Sequence, residues 1–278
     1  MTTDPGPWGA LAQPIHTDAA GAGDPPWRDN AFLGFCSPTE PVFGAVHVST
    51  SPNTEGRRAR FSLTAAGQTI EVVEPLEPGT FRSASIDFGL DGRIIVDSPD
   101  LKAELVMTPQ FYAVDYTDKE AFRPLIPGEP LRHHQQAARV EGTARLGGAS
   151  VTISGAGVRD RTWGYRDESA QLVEYVAVTG VFDSFYLSAM KFLGPDGTTV
   201  VDGFITDGPE PARITAMRVT RDSAGLFLQT VITLADGSER TVRLAERRGG
   251  FWVPMGVERE GPTMSAYDDF MAYDLDGR

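Results

Sequence analysis

The sequence predicts an all-β protein whose strands form a barrel or half-barrel. Between residues 42 and 107, apolar and polar side chains alternate with a period of two, as at Phe61 and Leu63 and again at Leu101, Ala103 and Leu105. This period is typical of a strand with one buried face. Turn residues separate these segments at short spacing, and no window of a dozen residues keeps a helical period. Regular up-and-down strands favour a meander that closes on itself.

The strand pattern is clearest in the second half of the chain. Gly147-Gly148 is a two-residue hairpin signal, and Pro195-Asp196-Gly197 is a turn whose glycine can take a positive φ. The strands predicted here cover residues 139–146, 149–155, 184–193, 198–206, 213–220, 226–234 and 239–244. For the stretch from Ser265 to Leu275, a helix and a final strand both remain open.

The pattern divides the chain into three parts. Residues 1–30 are rich in Pro, Gly and Asp and predict an irregular segment, which Trp8 and Trp27 would pin to the surface. Residues 31–130 and 131–278 are predicted to be two β domains. We place their boundary in the stretch from Tyr116 to Pro130, where several prolines interrupt the rhythm of the strands.

Composition narrows the possible functions. The hydrophobic fraction of 41% rules out wholesale disorder, and the net charge of −13 argues against nucleic acid or an anionic membrane as partner. Cys36 is the only cysteine, so neither an intramolecular disulfide nor a cysteine-cluster metal site is expected. The first residues lack the features of a signal peptide, and there is no apolar run long enough for a membrane span. We therefore expect a cytoplasmic protein.

Motifs for common cofactors are missing. Gly155-Ala156-Gly157 lacks the third glycine of a dinucleotide fingerprint, and neither a phosphate-binding loop nor a nucleophile elbow is present. His133 and His134 would point to opposite faces of a strand, so they are not expected to share a metal ion. The sequence thus predicts neither a metal site nor a cofactor.

One segment, from Gly155 to Asp167, combines three arginines, two acids and two aromatic residues with glycines. If it is extended, one face presents Arg159, Arg161, Trp163 and Tyr165, and the other presents Asp160, Thr162 and Arg166. One face of a barrel strand is buried, so a charged group would need a partner there. The segment could serve chemistry, or an Asp–Arg pair could simply tie strands together at a barrel rim.

This segment and the one before it resemble the carotenoid 1,2-hydratase/AttH-like family. The earlier element matches at His133 or His134 and at Gln136 and Gly142. The later element matches at Gly155, Gly157, Arg159, Asp160, Arg161, Thr162, Trp163, Gly164 and Arg166. Asp202-Gly203 resembles a further family element. The match is specific from about Arg132 to Asp207 and weak before it, and Arg161 stands where relatives can have histidine.

The resemblance implies two tandem lipocalin-like (calycin) domains, each a β-barrel or half-barrel, with a cavity in or between them. It also implies a cofactor-independent enzyme of the hydratase, cyclase or isomerase type, with an apolar terpenoid- or polyketide-like substrate. Asp160, kept neutral by burial, would protonate an alkene or polarise an oxygen. Trp163 and Tyr165 would stabilise developing positive charge.

Other residues would bind the substrate in this hypothesis. Arg161 and Arg166 would orient Asp160 or hold a substrate carbonyl, although Arg161 could not shuttle protons. His134 and Gln136 match family positions, and Tyr175 on the next strand could face the motif. The alternative is a carrier of a lipid or terpenoid without a catalytic step. The Asp160→Asn variant separates the two, because carriage should survive this change and catalysis should not.

Overall fold

The computed structural model describes residues 6–119, 121–254 and 265–276. Strands account for most of the described residues, and helical segments are few and short. The strands form two curled sheets: one is a half-barrel and the other is a nearly closed barrel. This confirms the all-β prediction and the tandem lipocalin-like architecture. No helix in the described ranges has the length and apolarity that crossing a membrane requires.

In the described ranges most elements are strands. A 3₁₀ segment (Gly6–Ala12) precedes the strands, and a one-turn helix α1 (Glu168–Gln171) separates the two sheets in sequence. The strands are β1 (Trp27–Cys36), β2 (Phe43–Thr50), β3 (Arg58–Ala65), β4 (Gln68–Pro75), β5 (Ile86–Phe88), β6 (Arg93–Asp97), β7 (Leu101–Asp115), β8 (Arg132–Leu146), β9 (Ala149–Tyr165), β10 (Glu174–Val181), β11 (Tyr186–Leu193), β12 (Thr199–Thr206), β13 (Ala212–Arg221), β14 (Phe227–Leu234), β15 (Glu239–Pro254) and β16 (Ser265–Leu275).

The first sheet has nine strands in the order β4-β3-β2-β1-β9-β8-β7-β6-β5, and the second has seven in the order β10 to β16. Gly147-Gly148 forms the predicted turn of the β8–β9 hairpin. The stretch from Ser265 to Leu275, which the sequence leaves open between helix and strand, is a strand paired with β15. The irregular N-terminal segment ends earlier than expected, because β1 begins at Trp27.

The chain folds into two compact units, and the division between them does not lie at the boundary that the sequence predicts near residue 130. The first unit extends to Asp118 and resumes over Pro124–Asp167, whereas the second comprises Lys119–Arg123 and the chain from Glu168 onward. The reason is strand pairing: β8 pairs with β7, and β9 pairs with β1, so both strands complete the first sheet. The proline-rich stretch is therefore a connection within the path of the chain and does not mark this division.

Alternation within the strands builds the core of the first unit. Phe35, Phe61 and Leu105 belong to a cluster of buried apolar side chains on one side of the nine-stranded sheet, which we call the inner face. Full burial of each such side chain contributes roughly 1.5–3 kcal/mol. Trp8 and Leu11 from the 3₁₀ segment join the same cluster. The inner face is thus filled by side chains of the protein itself.

The two edges of the nine-stranded sheet approach each other. Glu74 on β4 accepts hydrogen bonds from the hydroxyls of Ser83 (2.8 Å) and Ser85 (2.7 Å), which lie just before β5. A sheet that curls until its edges meet leaves fewer unpaired backbone groups open to other chains.

The second unit has its own apolar core. The members that are almost or fully buried are Val178, Leu187, Ala189, Ile214, Met217, Ile232, Leu234 and Val242. The register of β11 with β12 places Leu187 opposite Ile205 on this side of the sheet. Because neighbouring residues of a strand point to opposite faces, Ser188 and Asp202 lie on the other side. These two polar residues are also fully buried.

Candidate functional site

The side chains of β9 divide the motif between two faces of the first sheet. Arg161 lies opposite Ala31 of β1, and Asp160 lies opposite Gln135 of β8. Since cross-strand partners share a face, Arg159, Arg161 and Trp163 lie on the inner face, and Asp160 and Thr162 lie on the other. The alternation predicted from the sequence is observed.

Arg161 forms a buried ion pair on the inner face. Its Nε and Nη2 donate to the two carboxylate oxygens of Asp29 at 2.8 and 2.9 Å, and both side chains are fully buried. Its Nη1 donates to the backbone carbonyl of Gln13 at 3.0 Å. The guanidinium therefore fastens the N-terminal segment to the sheet. It has no hydrogen bond with Asp160, which it was expected to orient, because the two side chains leave β9 on opposite faces.

Arg159 is the second buried cation of the inner face. Its guanidinium lies 4.4 Å from the ring centroid of Trp8, and its Nη2 donates to the backbone carbonyl of Leu90 at 2.9 Å. Burial and the neighbouring Arg161 lower the pKa of Arg159 to about 9, so it is still a cation at neutral pH. The aromatic face of Trp8 offsets part of the cost of burying this charge.

Trp163 packs among side chains of its own unit. The ring is stacked on His16, with centroids 5.0 Å apart, and on His134, with centroids 5.2 Å apart. The guanidinium of Arg161 lies 5.6 Å from its centroid, and only 7% of the residue is exposed. Burial lowers the pKa of His134 despite the nearby Asp115 carboxylate, which favours a neutral imidazole in this stack. These contacts account for Trp163 and His134 as packing residues.

Three further predicted residues have contacts of their own. Gln136 donates from Nε2 to the backbone carbonyl of Phe111 at 2.9 Å, where β7 is irregular. Tyr165 packs edge-on against Trp27, with centroids 5.0 Å apart. Tyr175 belongs to the second unit, in which it stacks on Phe192 at 5.2 Å. Gln136 thus supports the irregular part of β7, and Tyr165 packs against the start of β1.

The opposite side of the first sheet has a cluster of mostly buried polar residues. We call this cluster, Asn30, Ser49, His133, Gln135, Asp160 and Thr162, the outer polar face. Asp160 lies at its centre. Its Oδ2 accepts hydrogen bonds from Nε2 of His133 at 2.6 Å and from Nε2 of Gln135 at 2.7 Å. Tyr116 stacks on the imidazole of His133, with centroids 4.9 Å apart, and holds the ring in place.

The Asp160 carboxyl is held in its ionised form. Burial alone would raise its pKa, but the charge and hydrogen bond of His133, the hydrogen bond of Gln135 and the nearby Arg166 together lower the pKa below its usual value. This differs from the sequence-based expectation of a carboxyl kept neutral by burial, because the sequence did not reveal the two donors. The resting group is therefore ionised and can accept a proton.

Arg166 and Thr162 complete the surroundings of Asp160. Nη1 of Arg166 donates to Oγ1 of Thr162 at 2.9 Å, and both residues are 6% exposed. Gly164 permits the change of direction between them: its φ is 144°, and a Cβ there would lie 3.2 Å from Leu131 Cδ1. Of the residues predicted to act together, the structure brings Asp160 and Arg166 to the same side.

The outer polar face coincides neither with the surface cavity of the first unit nor with a metal-binding group of side chains in the described residues. A surface cavity of about 540 Å³ lies near the β8–β9 hairpin and is lined by residues that include Lys102, Glu104 and Arg145, but none of the predicted site residues lines it. Among the described residues, no group of three or more His, Cys, Asp or Glu side chains is placed to hold a metal ion.

The ion pair of Asp29 makes the protein sensitive to acid. Although burial raises the pKa of Asp29, hydrogen bonds from His16 and Arg161 and the charge of Arg161 hold it below 3.8. A depressed folded-state pKa adds stability that is complete well above the unfolded-state value and is lost as the pH falls through the folded-state value. We expect the free energy of unfolding to fall steeply below about pH 4, and less steeply in an Asp29→Asn variant. Urea denaturation at a series of pH values would measure both slopes, and equal slopes would contradict this account.

Sequence reasoning missed Gln135 and Asp29, and it left His133 as an alternative to His134. The family element matches at either histidine. The alternation of side chains along β8 distinguishes them, because only His133 shares a face with Asp160. Gln135 lies opposite Asp160, and His133 is two residues away on the same face. Asp29 lies 132 residues from Arg161 in the chain, within a segment that the sequence predicted to be irregular. Only the pairing of β1 with β9 brings these two residues together.

The fold defines a tandem lipocalin-like protein with AttH-like structural neighbours. The chain belongs to the family described as a domain of unknown function, DUF7064, whose model matches residues 15–278. No curated protein matches the sequence.

Several solved structures are similar in fold. A protein from Nitrosomonas europaea described as AttH has a TM-score of 0.61 at 14% identity, over 96% of this chain and 94% of that one. CghA with Sch210972 has a TM-score of 0.62 at 12% identity, over 90% and 84% of the two chains. Kievitone hydratase from Nectria haematococca has a TM-score of 0.58 at 13% identity, over 96% and 87%. At these identities the likeness concerns the fold.

Proposed function

We propose that this protein is an enzyme of the hydratase or cyclase type that acts on a small molecule at the outer polar face. One observation carries the proposal. Asp160 is an ionised carboxylate whose Oδ2 is held by two donors, and no hydrogen bond is made by its Oδ1 within the described residues. A carboxylate fixed through one oxygen can accept a proton through the other. A relative in fold named kievitone hydratase supports this reaction class.

The geometry suits a proton that moves on and off one group. In a hydration, a water molecule on Oδ1 of Asp160 gives its proton to the carboxylate as its oxygen attacks one carbon of a double bond. The protonated carboxyl then returns that proton to the other carbon, so water is added and the carboxylate is restored. Nε2 of His133 and Nε2 of Gln135 hold Oδ2 throughout. In a cyclisation, the same carboxylate would orient a substrate hydroxyl.

The contacts assign different roles to the remaining predicted residues. We propose that Arg166 binds a substrate oxygen, since it lies close enough to Asp160 to lower its pKa. Arg161 and Trp163 hold the N-terminal segment on the inner face. We make no such assignment for Tyr175, which lies in the second unit.

The dense packing on the inner face of the first sheet argues against a simple carrier function in that unit. A barrel that carries a lipid or terpenoid needs an open interior. Here the buried apolar cluster, joined by Trp8 and Leu11, occupies that side of the sheet. The position of the ionised carboxylate on the opposite side favours a reaction site at the outer polar face.

The test begins with native mass spectrometry of the purified protein and organic extraction of the small molecules that co-purify. These compounds are then assayed for conversion by liquid chromatography and mass spectrometry. We expect the Asp160→Asn variant, measured at saturating concentrations of the compound, to lose turnover by roughly 100-fold to 10,000-fold, the usual contribution of a proton-transfer group. The matched control is Asp97→Asn, which removes an exposed carboxylate from the same sheet.

Three results have distinct meanings. Loss of turnover in Asp160→Asn with unchanged turnover in Asp97→Asn supports the proposal. Equal turnover in both variants overturns the role of Asp160. Binding without turnover in the wild-type protein identifies a carrier and overturns the enzymatic proposal.

A further inference from the structure

Two polar atoms of the outer polar face have no hydrogen-bond partner within the described residues. Oδ2 of Asp160 takes both of that residue's hydrogen bonds, which leaves Oδ1 without one. Nδ1 of His133 is buried and also has no hydrogen-bond partner. A carboxylate oxygen accepts hydrogen bonds, so Oδ1 of Asp160 has capacity for a donor that a ligand supplies.

The surroundings hold the His133 and Asp160 side chains in fixed positions. Tyr116 stacks on His133, and the two residues also share a backbone hydrogen bond from Tyr116 N to His133 O of 2.9 Å. The side chain of Asp160 is 15% exposed, so Oδ1 can be reached by a small molecule. A fixed acceptor loses little freedom when a ligand binds, which favours recognition of one particular group.

We propose that the substrate of this site bears a hydroxyl group, as a phenol, an enol or an alcohol, which donates a hydrogen bond to Oδ1 of Asp160. This inference rests on the proposed function and deepens it by naming the substrate class. A pure hydrocarbon placed here would remove water from an ionised carboxylate without replacing its hydrogen bonds, which is costly. The proposal therefore departs from the apolar substrate that the family resemblance suggested.

The experiment compares two probes of nearly equal size, 2-naphthol and its methyl ether, 2-methoxynaphthalene. The ether has a methyl group in place of the hydroxyl hydrogen, so only the naphthol can donate a hydrogen bond. Dissociation constants would be measured by NMR titration of protein labelled with ¹³C at the aspartate carboxyls, so that the Asp160 signal reports the place of binding. We expect the naphthol to bind about tenfold to a hundredfold more tightly than the ether, as a hydrogen bond to a charged acceptor implies.

Two variants sharpen the comparison. Asp160→Asn keeps the shape and removes the charge, so the preference for naphthol, read in this variant from its amide signals, should shrink to a few-fold. His133→Phe keeps a ring against Tyr116 and removes a donor that holds the carboxylate, so the preference should also fall. Asp97→Asn should leave it unchanged, because Asp97 is exposed and paired with Lys102. Amide spectra of each variant would confirm that it folds.

The outcomes separate this inference from the proposed function. Equal affinity for the two probes, or failure of naphthol to move the Asp160 signal, overturns the hydroxyl requirement. Binding of naphthol at Asp160 in a protein that turns over none of its co-purified compounds supports the recognition and counts against the enzyme. Turnover of a pure hydrocarbon that depends on Asp160 supports the enzyme and overturns the substrate class.

Discussion

Replacing Asp29 with alanine is expected to lower the free energy of unfolding of the first unit by about 3–5 kcal/mol. Asp29 is the carboxylate that pairs with both donor edges of Arg161, at 2.8 and 2.9 Å, in surroundings from which water is excluded. Without it, Arg161 remains a buried cation beside a second one, Arg159. The loss would follow mainly from this uncompensated charge.

Amide hydrogen exchange in β1 and β9 would measure this change, because these two strands hold the pair. The matched control is Asp97→Ala, which breaks an ion pair between exposed side chains and should cost less than about 1 kcal/mol. A loss in Asp29→Ala no larger than in this control would mean that the Arg161–Asp29 pair does not support the sheet.

The second large effect is expected for Trp8→Ala, which should cost about 3–5 kcal/mol. Trp8 is 2% exposed and belongs to the apolar cluster of the inner face. Its ring also lies 4.4 Å from the Arg159 guanidinium. The change would open a cavity and remove the aromatic face from a buried cation, so both the packing and the electrostatic contributions would be lost.

Trp252→Ala is the matched control for this prediction. Trp252 is 66% exposed, and its removal should change the free energy of unfolding by no more than about 0.5–1 kcal/mol. Urea denaturation followed by hydrogen exchange in the first unit would compare the two variants. Similar free energies of unfolding for Trp8→Ala and Trp252→Ala would show that the N-terminal 3₁₀ segment does not contribute to the stability of the core.

Much of the fold could be predicted because strands leave a local signature. The period of two at Phe61 and Leu63 and the Gly147-Gly148 turn are both read from neighbouring residues. The start of β1 was missed because Arg28, Asp29 and Asn30 are all buried, so this part of the strand shows no alternation of polar and apolar residues. Pairing of β1 with β9 is a contact between distant parts of the chain, which local patterns do not specify.

The candidate site could be predicted only in part for the same reason. The alternation along β9 placed Asp160 and Arg161 on opposite faces, but it did not tell which face holds the packed core. Polar residues are buried on both sides of the strand, including Arg161 on one side and Thr162 on the other. The choice between His133 and His134 depends on the register of β8 with β9, in which Gln135 lies opposite Asp160.

The central claim is that a small molecule reacts at the outer polar face, against Asp160. The most direct measurement is a crystal structure of the protein with a compound extracted from it. We expect an oxygen of that compound within hydrogen-bond distance of Oδ1 of Asp160, with His133 still bonded to Oδ2. A compound found among Leu33, Phe61 and the other core residues of the inner face would contradict the claim and would identify the first sheet as a carrier barrel.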